Sequence, residues 1–180
     1  MNSPWPSKWS GLFLWFCGMA LTGAGCVGNP HFRSSVFEVP EPSSAEPVTA
    51  AMKTDQPTAR PGDTFDVMVC VRIAGGHHIY STNAVAGPFT PTTLNLVVPA
   101  GLEPVGGWIV PSPATTKTGQ RVYTDSLLFR RSLKVRLNTP PGVLSIKGEL
   151  RYQACTEELC WPPGNIGVSA SVAVVSTTKE

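Results

Sequence analysis

Short runs of alternating apolar and polar residues dominate the chain from about residue 48 onward. The clearest run is Phe65–Ile73, in which every odd-numbered position is apolar and the even-numbered positions are Asp, Met, Cys and Arg. Because successive side chains of a strand point to opposite faces, this alternation predicts a β-strand with one face in the core.

Further segments also have a strand-like sequence and are separated by turn-forming residues. The turn signals include Arg60–Asp63, Ala74–Gly76 and Pro140–Gly142. The predicted segments are 48–53, 77–81, 94–98, 102–110, 123–137 (one long strand or a strand pair), 143–154 and 166–175. About eight short strands with regular turns are typical of a β-sandwich, so we predict an all-β, antiparallel fold. The 17 glycines and 18 prolines and the absence of long helical periodicity agree with this class.

The first part of the chain has the features of an export signal. The apolar run 11–21 is shorter than the roughly 20 apolar residues that a transmembrane helix needs, and small residues follow it. Cys26 comes directly after Gly-Ala-Gly, which resembles a bacterial lipoprotein processing site. We therefore expect residues 1–25 to be a signal peptide and Cys26 to be lipidated, with plain signal cleavage or a retained anchor as the alternatives.

The region between this signal and the first strand differs in composition from both. Residues 26–47 are rich in Pro, Ser and Glu and are expected to be a tether, while residues 48–176 form the domain. Each of the three targeting alternatives places the domain outside the cytoplasm, where disulfides persist.

Charge and motif content exclude several classes of function. Charged residues are 14% of the chain and the formal net charge is +2, without a basic run, so no nucleic-acid partner is expected. The sequence shows no glycine-rich nucleotide loop, no Ser/His/Asp arrangement and no metal-spaced His/Glu motif. It therefore predicts neither a cofactor nor a metal.

Cys155 and Cys160 are the two of the five cysteines that lie close enough in sequence to form a local pair. Closing so short a loop would stabilise the fold by roughly 2 kcal/mol, which makes the pair a weak staple. Glu157 and Glu158 lie between the cysteines, and carboxylates disfavour a nearby thiolate. On spacing alone, a structural disulfide is the favoured interpretation and a redox pair is the alternative.

A metal site built from the two thiolates with His77 and His78 is a third possibility. Adjacent histidines on a strand point to opposite faces, so both rings are not expected to reach one metal ion.

Five motifs together resemble the N-terminal periplasmic domain of the thiol:disulfide interchange protein DsbD. They are Gly76–Ser81, Pro111–Pro113, Arg121–Asp125, Tyr152–Cys155 and Cys160–Pro163. The resemblance covers most of residues 48–175, and its most specific part is Tyr-Gln-x-Cys followed by Cys-aromatic-Pro-Pro.

This resemblance implies an immunoglobulin-like fold and a cysteine pair that passes electrons from a thioredoxin-like partner to periplasmic substrates. It makes Cys160 the site of the mixed disulfide and Cys155 the resolving thiol. The residues expected to line the pocket or the docking surface are His78, Tyr80, Tyr123, Asp125, Trp161 and Pro162. For Tyr123 and Asp125, simple cross-strand pairing is the alternative interpretation.

Three departures from the family pattern affect the expectations. The spacing is Cys-x4-Cys, one residue shorter than in the best-known member. The family has a loop with an aromatic residue that covers the disulfide, whereas the matching region, 112–117, contains none. A membrane electron-transfer domain and a Cys-x-x-Cys thioredoxin domain are absent from the sequence, so we expect a free-standing module that obtains its reductant from another protein.

The favoured hypothesis is a lipid-anchored, extracytoplasmic relay. It would take electrons from a thioredoxin-like or membrane thiol donor and reduce oxidised extracytoplasmic proteins, cytochrome maturation factors among the candidates. The alternative is a non-catalytic, immunoglobulin-like binding or adaptor lipoprotein in which Cys155–Cys160 is a structural disulfide.

Overall fold

A computed structural model describes residues 38–84 and 87–176, and within them it contains twelve β-strands and no α-helix. Accordingly, none of these residues belongs to a helix that could span a membrane. The strands are β1 (Val48–Thr54), β2 (Thr58–Ala59), β3 (Thr64–Ile73), β4 (His78–Tyr80), β5 (Thr93–Val97), β6 (Leu102–Ile109), β7 (Ala114–Thr115), β8 (Arg121–Tyr123), β9 (Ser126–Val135), β10 (Gly142–Tyr152), β11 (Ala154–Cys155) and β12 (Gly164–Val174).

Two four-stranded sheets form the sandwich. The first sheet has the order β1-β3-β9-β6, and the second has the order β2-β12-β10-β5. Every pair of neighbouring strands in them is antiparallel except β2 and β12, which run parallel. The predicted all-β, immunoglobulin-like sandwich is confirmed, with this one parallel pair as an addition.

The core lies between the two sheets, as the alternation of β3 predicts. The odd-numbered side chains of β3, from Phe65 to Ile73, are all buried in it. From the same sheet, β9 contributes Phe129 and Leu133, while Ile146 and Leu150 of β10 face them from the second sheet. Burying such side chains is the main source of the stability of the sandwich.

A third sheet, called here the small sheet, lies beside the sandwich and has the order β11-β4-β8-β7. Its strands are only two or three residues long. The register places Ile79 of β4 between Ala154 of β11 and Tyr123 of β8. Strands this short bury little surface, so the small sheet depends on contacts made by individual side chains.

The segment 38–47 contains no strand but is packed on the domain. Val39 is buried, and the Arg72 guanidinium binds both carboxylate oxygens of Glu41. The backbone N–H of Ala74 donates a hydrogen bond to the carbonyl of Pro47. The C-terminal part of the predicted tether therefore contacts the domain, whereas its first residues and the predicted signal lie outside the described residues.

Candidate functional site: a disulfide on the small sheet

The two cysteines of the local pair face each other across a tight reversal of the chain. They form a disulfide, with their Cα atoms 4.0 Å apart, and they also pair as an isolated antiparallel bridge. The Trp161 N–H donates to the Ala154 carbonyl at 2.9 Å, which continues the pairing by one step. The segment Ala154–Trp161 is thus a small hairpin, called here the cysteine hairpin.

Thr156 organises the turn of this hairpin. Its Oγ1 accepts hydrogen bonds from the N–H groups of Glu158, at 3.2 Å, and Leu159, at 3.1 Å. The Thr156 N–H donates to the Leu159 carbonyl at 2.8 Å. A threonine hydroxyl that binds backbone two or three residues ahead is a common way to close a turn. Thr156 therefore holds the two cysteines in a fixed relation.

The two cysteines differ in exposure. Cys155, the last residue of β11, is 1% exposed and pairs in register with His78 of β4, whereas Cys160 is only partly buried. A partner thiolate must approach a disulfide sulfur directly. Cys160 is thus the more exposed member of the pair.

An aromatic ring lies beside the disulfide, on a loop that was not predicted from the sequence. Phe89 stacks on Tyr80 with ring centroids 4.5 Å apart and planes inclined by 11°. Tyr80, Val122 and Cys155 form a buried cluster, and Phe89 and Cys160 both pack against it. Phe89 belongs to residues 87–92, called here the Phe89 loop, between β4 and β5. The ring comes from this loop rather than from 112–117, where an aromatic was sought.

A second residue that the sequence reasoning did not single out is Gln153, which lies between β10 and β11. Its Oε1 accepts a hydrogen bond from the Thr90 N–H at 2.8 Å, and its Nε2 donates to the Trp161 carbonyl at 3.1 Å. Gln153 therefore links the Phe89 loop to the cysteine hairpin.

An open groove of about 850 Å³ runs past the disulfide. Cys160 and Phe89 lie in its wall together with the hairpin turn and part of the region 112–117. Leu159 in this wall is 60% exposed and adds an apolar side chain to the rim. Glu157 and Glu158 add negative charge at the same edge. The groove combines an accessible sulfur with an apolar and acidic rim.

His78 and Tyr80 occupy the β4 side of this groove. Their rings meet edge to face, with centroids 5.6 Å apart. Burial and the neighbouring His77 lower the pKa of His78 below 6.5, although Glu157 acts in the opposite direction. Burial also raises the pKa of Tyr80. Both side chains are therefore uncharged near neutral pH.

Trp161 and Pro162 point toward a different depression. They line a groove on the other side of the hairpin, together with Tyr152 and Pro47. The Trp161 ring also contacts His77, with ring centroids 5.1 Å apart. The structure thus places these two residues next to the hairpin but not in the wall that contains Cys160.

Tyr123 and Asp125 occupy very different positions. Tyr123 is 1% exposed, contacts Phe129 edge to face and shares a hydrogen bond with Thr82, so it belongs to the core and not to the groove wall. Asp125 is exposed and lines the groove, with a positive φ of 60°. Asp is one of the few residue types that adopt this left-handed conformation readily. Asp125 lies in the short connection between β8 and β9.

Two further predictions concern lipidation and metal binding. Cys26 lies outside the described residues. Within residues 38–84 and 87–176, no group of three or more His, Cys, Asp or Glu side chains is arranged to hold a metal ion.

Comparisons with known proteins agree with this picture of the site. The family model described as "Thiol:disulfide interchange protein DsbD, N-terminal" matches residues 45–169, more than two thirds of the chain. A search of curated protein sequences found no match.

Several solved structures are similar to this chain. The reduced DsbD N-terminal domain of Neisseria meningitidis is 20% identical, with 64% of this chain and 81% of that chain covered and a TM-score of 0.41. The N-terminal periplasmic domain of ScsB from Proteus mirabilis is 17% identical, with 70% and 47% covered and a TM-score of 0.46. The complex of the N. meningitidis DsbD and PilB N-terminal domains gives 24% identity, 57% and 71% coverage and a TM-score of 0.34. The chain thus spans about half the length of the ScsB domain.

Proposed function

This chain belongs to the family of the N-terminal domain of the thiol:disulfide interchange protein DsbD, and from this premise we propose that it is a periplasmic electron relay. Cys155 and Cys160 accept two electrons from a thioredoxin-like or membrane thiol donor and pass them to oxidised extracytoplasmic proteins. The observation that carries the proposal is the disulfide in the groove wall, with Cys160 partly exposed and Cys155 buried.

The first half of the cycle reduces the relay. A donor thiolate attacks Sγ of Cys160, the Cys155–Cys160 bond breaks, and Cys155 leaves as a thiolate that takes up a proton. The second thiol of the donor then attacks the mixed disulfide, which leaves the donor oxidised and both cysteines reduced. Two electrons and two protons reach the relay in all.

The second half of the cycle reverses the roles. The Cys160 thiolate attacks the disulfide of an oxidised protein and forms a mixed disulfide with one of its sulfurs, and the other sulfur leaves. Cys155 then attacks Cys160, which releases the reduced protein and restores the original disulfide. The burial of Cys155 supports its role as the resolving thiol, because it can reach Cys160 but not a large partner directly.

The charges around the pair indicate which reductants the relay accepts. Glu157 and Glu158 line the groove beside Cys160, and no Lys, Arg or His lies between the two cysteines. Carboxylates disfavour formation of a nearby thiolate. We expect the relay to be a poor general reductant that exchanges efficiently with a docked partner whose own thiol is activated.

The proposal places the domain at the periplasmic face of a bacterial membrane, held by a lipid on Cys26. The export-type sequence of residues 1–25 supports this location. Metabolic labelling with a radioactive or alkyne-tagged fatty acid tests the anchor, and a Cys26→Ser protein should lose the label. A labelled Cys26→Ser protein would contradict lipidation at this residue.

Partner trapping tests the relay itself. The Cys155→Ser protein keeps the accessible thiol but cannot resolve, so it should accumulate mixed disulfides with oxidised periplasmic proteins in vivo. The Cys160→Ser protein keeps only the buried thiol of the pair and should trap far less. The double Ser variant is the control, and non-reducing electrophoresis with mass spectrometry identifies the adducts.

The competing structural role makes a different prediction. A staple stays fully oxidised in cells regardless of the supply of reductant, and its loss lowers thermal stability without changing thiol exchange. Equal trapping by the two single variants, or a pair that no thioredoxin-like protein reduces under native conditions, would falsify the relay.

A further inference from the structure

Gln153 makes one hydrogen bond to each of two segments that are distant in sequence. Its amide oxygen accepts from the N–H of Thr90, and its amide nitrogen donates to the carbonyl of Trp161. Thr90 directly follows Phe89, and Trp161 directly follows Cys160. One side-chain amide therefore joins the residue after Phe89 to the residue after Cys160.

The chemistry of this link is specific to an amide. A glutamine can donate and accept at once, whereas a carboxylate can only accept and an aliphatic side chain does neither. At this position a carboxylate would keep the acceptor for Thr90 but would face the Trp161 carbonyl without a donor. The side chain is partly buried, so water does not fully replace a lost bond.

The described part of the connection between β4 and β5 has its other backbone hydrogen bonds near its two ends. The Ala84 N–H donates to Ser81, and Thr92 donates twice to the Tyr80 carbonyl. The centre of the Phe89 loop is held by the Thr90–Gln153 bond and by the stacking of Phe89 on Tyr80. Movement of Phe89 away from the groove therefore has to break its stacking contact with Tyr80. If Gln153 does not move with the loop, it also has to break the hydrogen bond between Thr90 and Gln153.

We propose that Gln153 is a positioning residue that holds the Phe89 loop closed beside the disulfide and so sets how often Cys160 is accessible. The effect of the loop on a redox partner rests on the proposed relay function, whereas the closing of the loop itself does not. Attack on Cys160 needs space along the S–S axis, and the Phe89 ring packs against the same cluster as Cys160. The two hydrogen bonds of Gln153 to Thr90 and Trp161 are called here the Gln153 brace. If this brace is weakened, the Phe89 loop opens more often and Cys160 reacts faster with a reductant.

Reduction of the full-length protein by dithiothreitol at pH 7.5 tests this proposal. The state of the Cys155 and Cys160 peptides is followed by alkylation and mass spectrometry, so that other cysteines do not contribute. Gln153→Met should speed reduction of the pair about tenfold, because it removes two neutral hydrogen bonds that favour the closed loop. The matched control is Gln56→Met, a partly buried glutamine between β1 and β2 that does not line the groove. It should react like the wild type.

A double-mutant cycle with Phe89→Ala separates positioning from general loosening. If Gln153 acts through Phe89, the double variant is no faster than Phe89→Ala alone, which should itself be faster than wild type. Rates that multiply in the double variant, or a Gln153→Met rate equal to that of wild type, would overturn the proposal.

A conservative variant supplies a pH readout that a merely structural role would not produce. In Gln153→Glu the carboxylate lacks the donor for Trp161, but protonation restores one. With a phosphine reductant, the ratio of the variant rate to the wild-type rate should fall toward one as the pH is lowered from 7 to 4. A ratio that stays constant over this range contradicts the brace.

These outcomes are independent of the relay. Dithiothreitol and a phosphine need no docking partner, so the brace is measurable even if no thioredoxin-like protein reduces the pair. Conversely, the Gln153 variants could be reduced at the wild-type rate while Cys155→Ser still traps partners efficiently. That result would support the relay and contradict the Gln153 brace.

Discussion

The two-sheet sandwich and the small sheet beside it are stabilised in different ways. The sandwich has strands of up to eleven residues and a continuous apolar core that includes Phe129, Leu133 and Ile146, all completely buried. The small sheet has strands of two or three residues. Ile79, Tyr123 and Ala154 join it to the same core, while the disulfide, the turn at Thr156 and the hydrogen bonds of Gln153 hold the part that carries the cysteines. The first region has the large apolar core, and the second carries the disulfide.

This difference explains how a disulfide can be exchanged without unfolding the domain. A stack of rings and a few neutral hydrogen bonds are each worth about 1 kcal/mol, far less than the core of a sandwich. The region around Cys160 can therefore open and change its bonding while the two large sheets remain intact. Regions that must move for function are commonly drawn from the less stable parts of a fold.

The largest expected effect comes from a change in the sandwich core. Leu133→Ala should reduce the free energy of unfolding by about 2–5 kcal/mol, because it leaves a cavity at a completely buried position of β9. Reduction of the disulfide in the folded protein should keep its wild-type rate. Urea denaturation followed by fluorescence measures the first quantity, and dithiothreitol kinetics measure the second.

Leu137→Ala is the matched control, since this leucine lies just beyond β9 and is 77% exposed. It should change stability by less than about 0.5 kcal/mol. If Leu133→Ala accelerated disulfide reduction as strongly as it destabilised the fold, the two regions would not be energetically separate.

A smaller effect is expected in the turn of the cysteine hairpin. Thr156→Val keeps the shape of the side chain but removes the acceptor for the N–H groups of Glu158 and Leu159. The two thiols should then meet less often, so a glutathione titration should show the equilibrium shifted about fivefold toward the dithiol. Thr64→Val, at an exposed position that opens β3, is the control and should leave the equilibrium unchanged.

The smallest effect is a pH dependence that arises in the small sheet. Because the pKa of His78 is below 6.5 in the folded protein, the unfolded chain binds its proton more readily. The stabilisation that depends on neutral His78 is present above pH 6.5 and is lost as the pH falls below that value. His78→Gln should therefore flatten the decrease in the thermal midpoint between pH 7 and pH 5.5.

Glu157→Gln should have the opposite effect on this pH dependence. Glu157 raises the pKa of His78, so its removal lowers that pKa further and steepens the loss of stability in acid. Midpoints from differential scanning calorimetry at several pH values distinguish the two variants. Parallel pH profiles for both variants and the wild type would show that His78 is not responsible.

The sandwich was predictable from the sequence because its signal is local. Alternation in β3 identified both the strand and its buried face, and Arg60–Asp63 forms the predicted turn, with the Asp63 N–H bound to the Arg60 carbonyl. The segment 123–137 proved to be parts of two strands, β8 and β9, separated at Asp125. The two-residue strands β2 and β7 were not predicted, because both are too short to show alternation and because β2 pairs with the distant β12.

The site was only partly predictable, because its members come from distant segments. The cysteine pair was evident from its spacing and its flanking motif, and the structure places His78 and Tyr80 in the groove wall. Phe89 was missed because its loop has no periodicity and is far from the cysteines in sequence. For Gln153 the motif gave its position but not its two contacts, which require the tertiary fold.

The packing of residues 38–47 determines which part of the domain first resists a force applied to the chain before β1. Val39 is buried, and the two-pronged pairing of Glu41 with Arg72 fixes the chain several residues before β1 starts. Glu41 and Arg72 line a depression that also contains His77 and Asp125, two residues that border the disulfide groove. A pull on the chain from its N-terminal side would therefore be resisted first at this corner, next to the residues that border the disulfide groove.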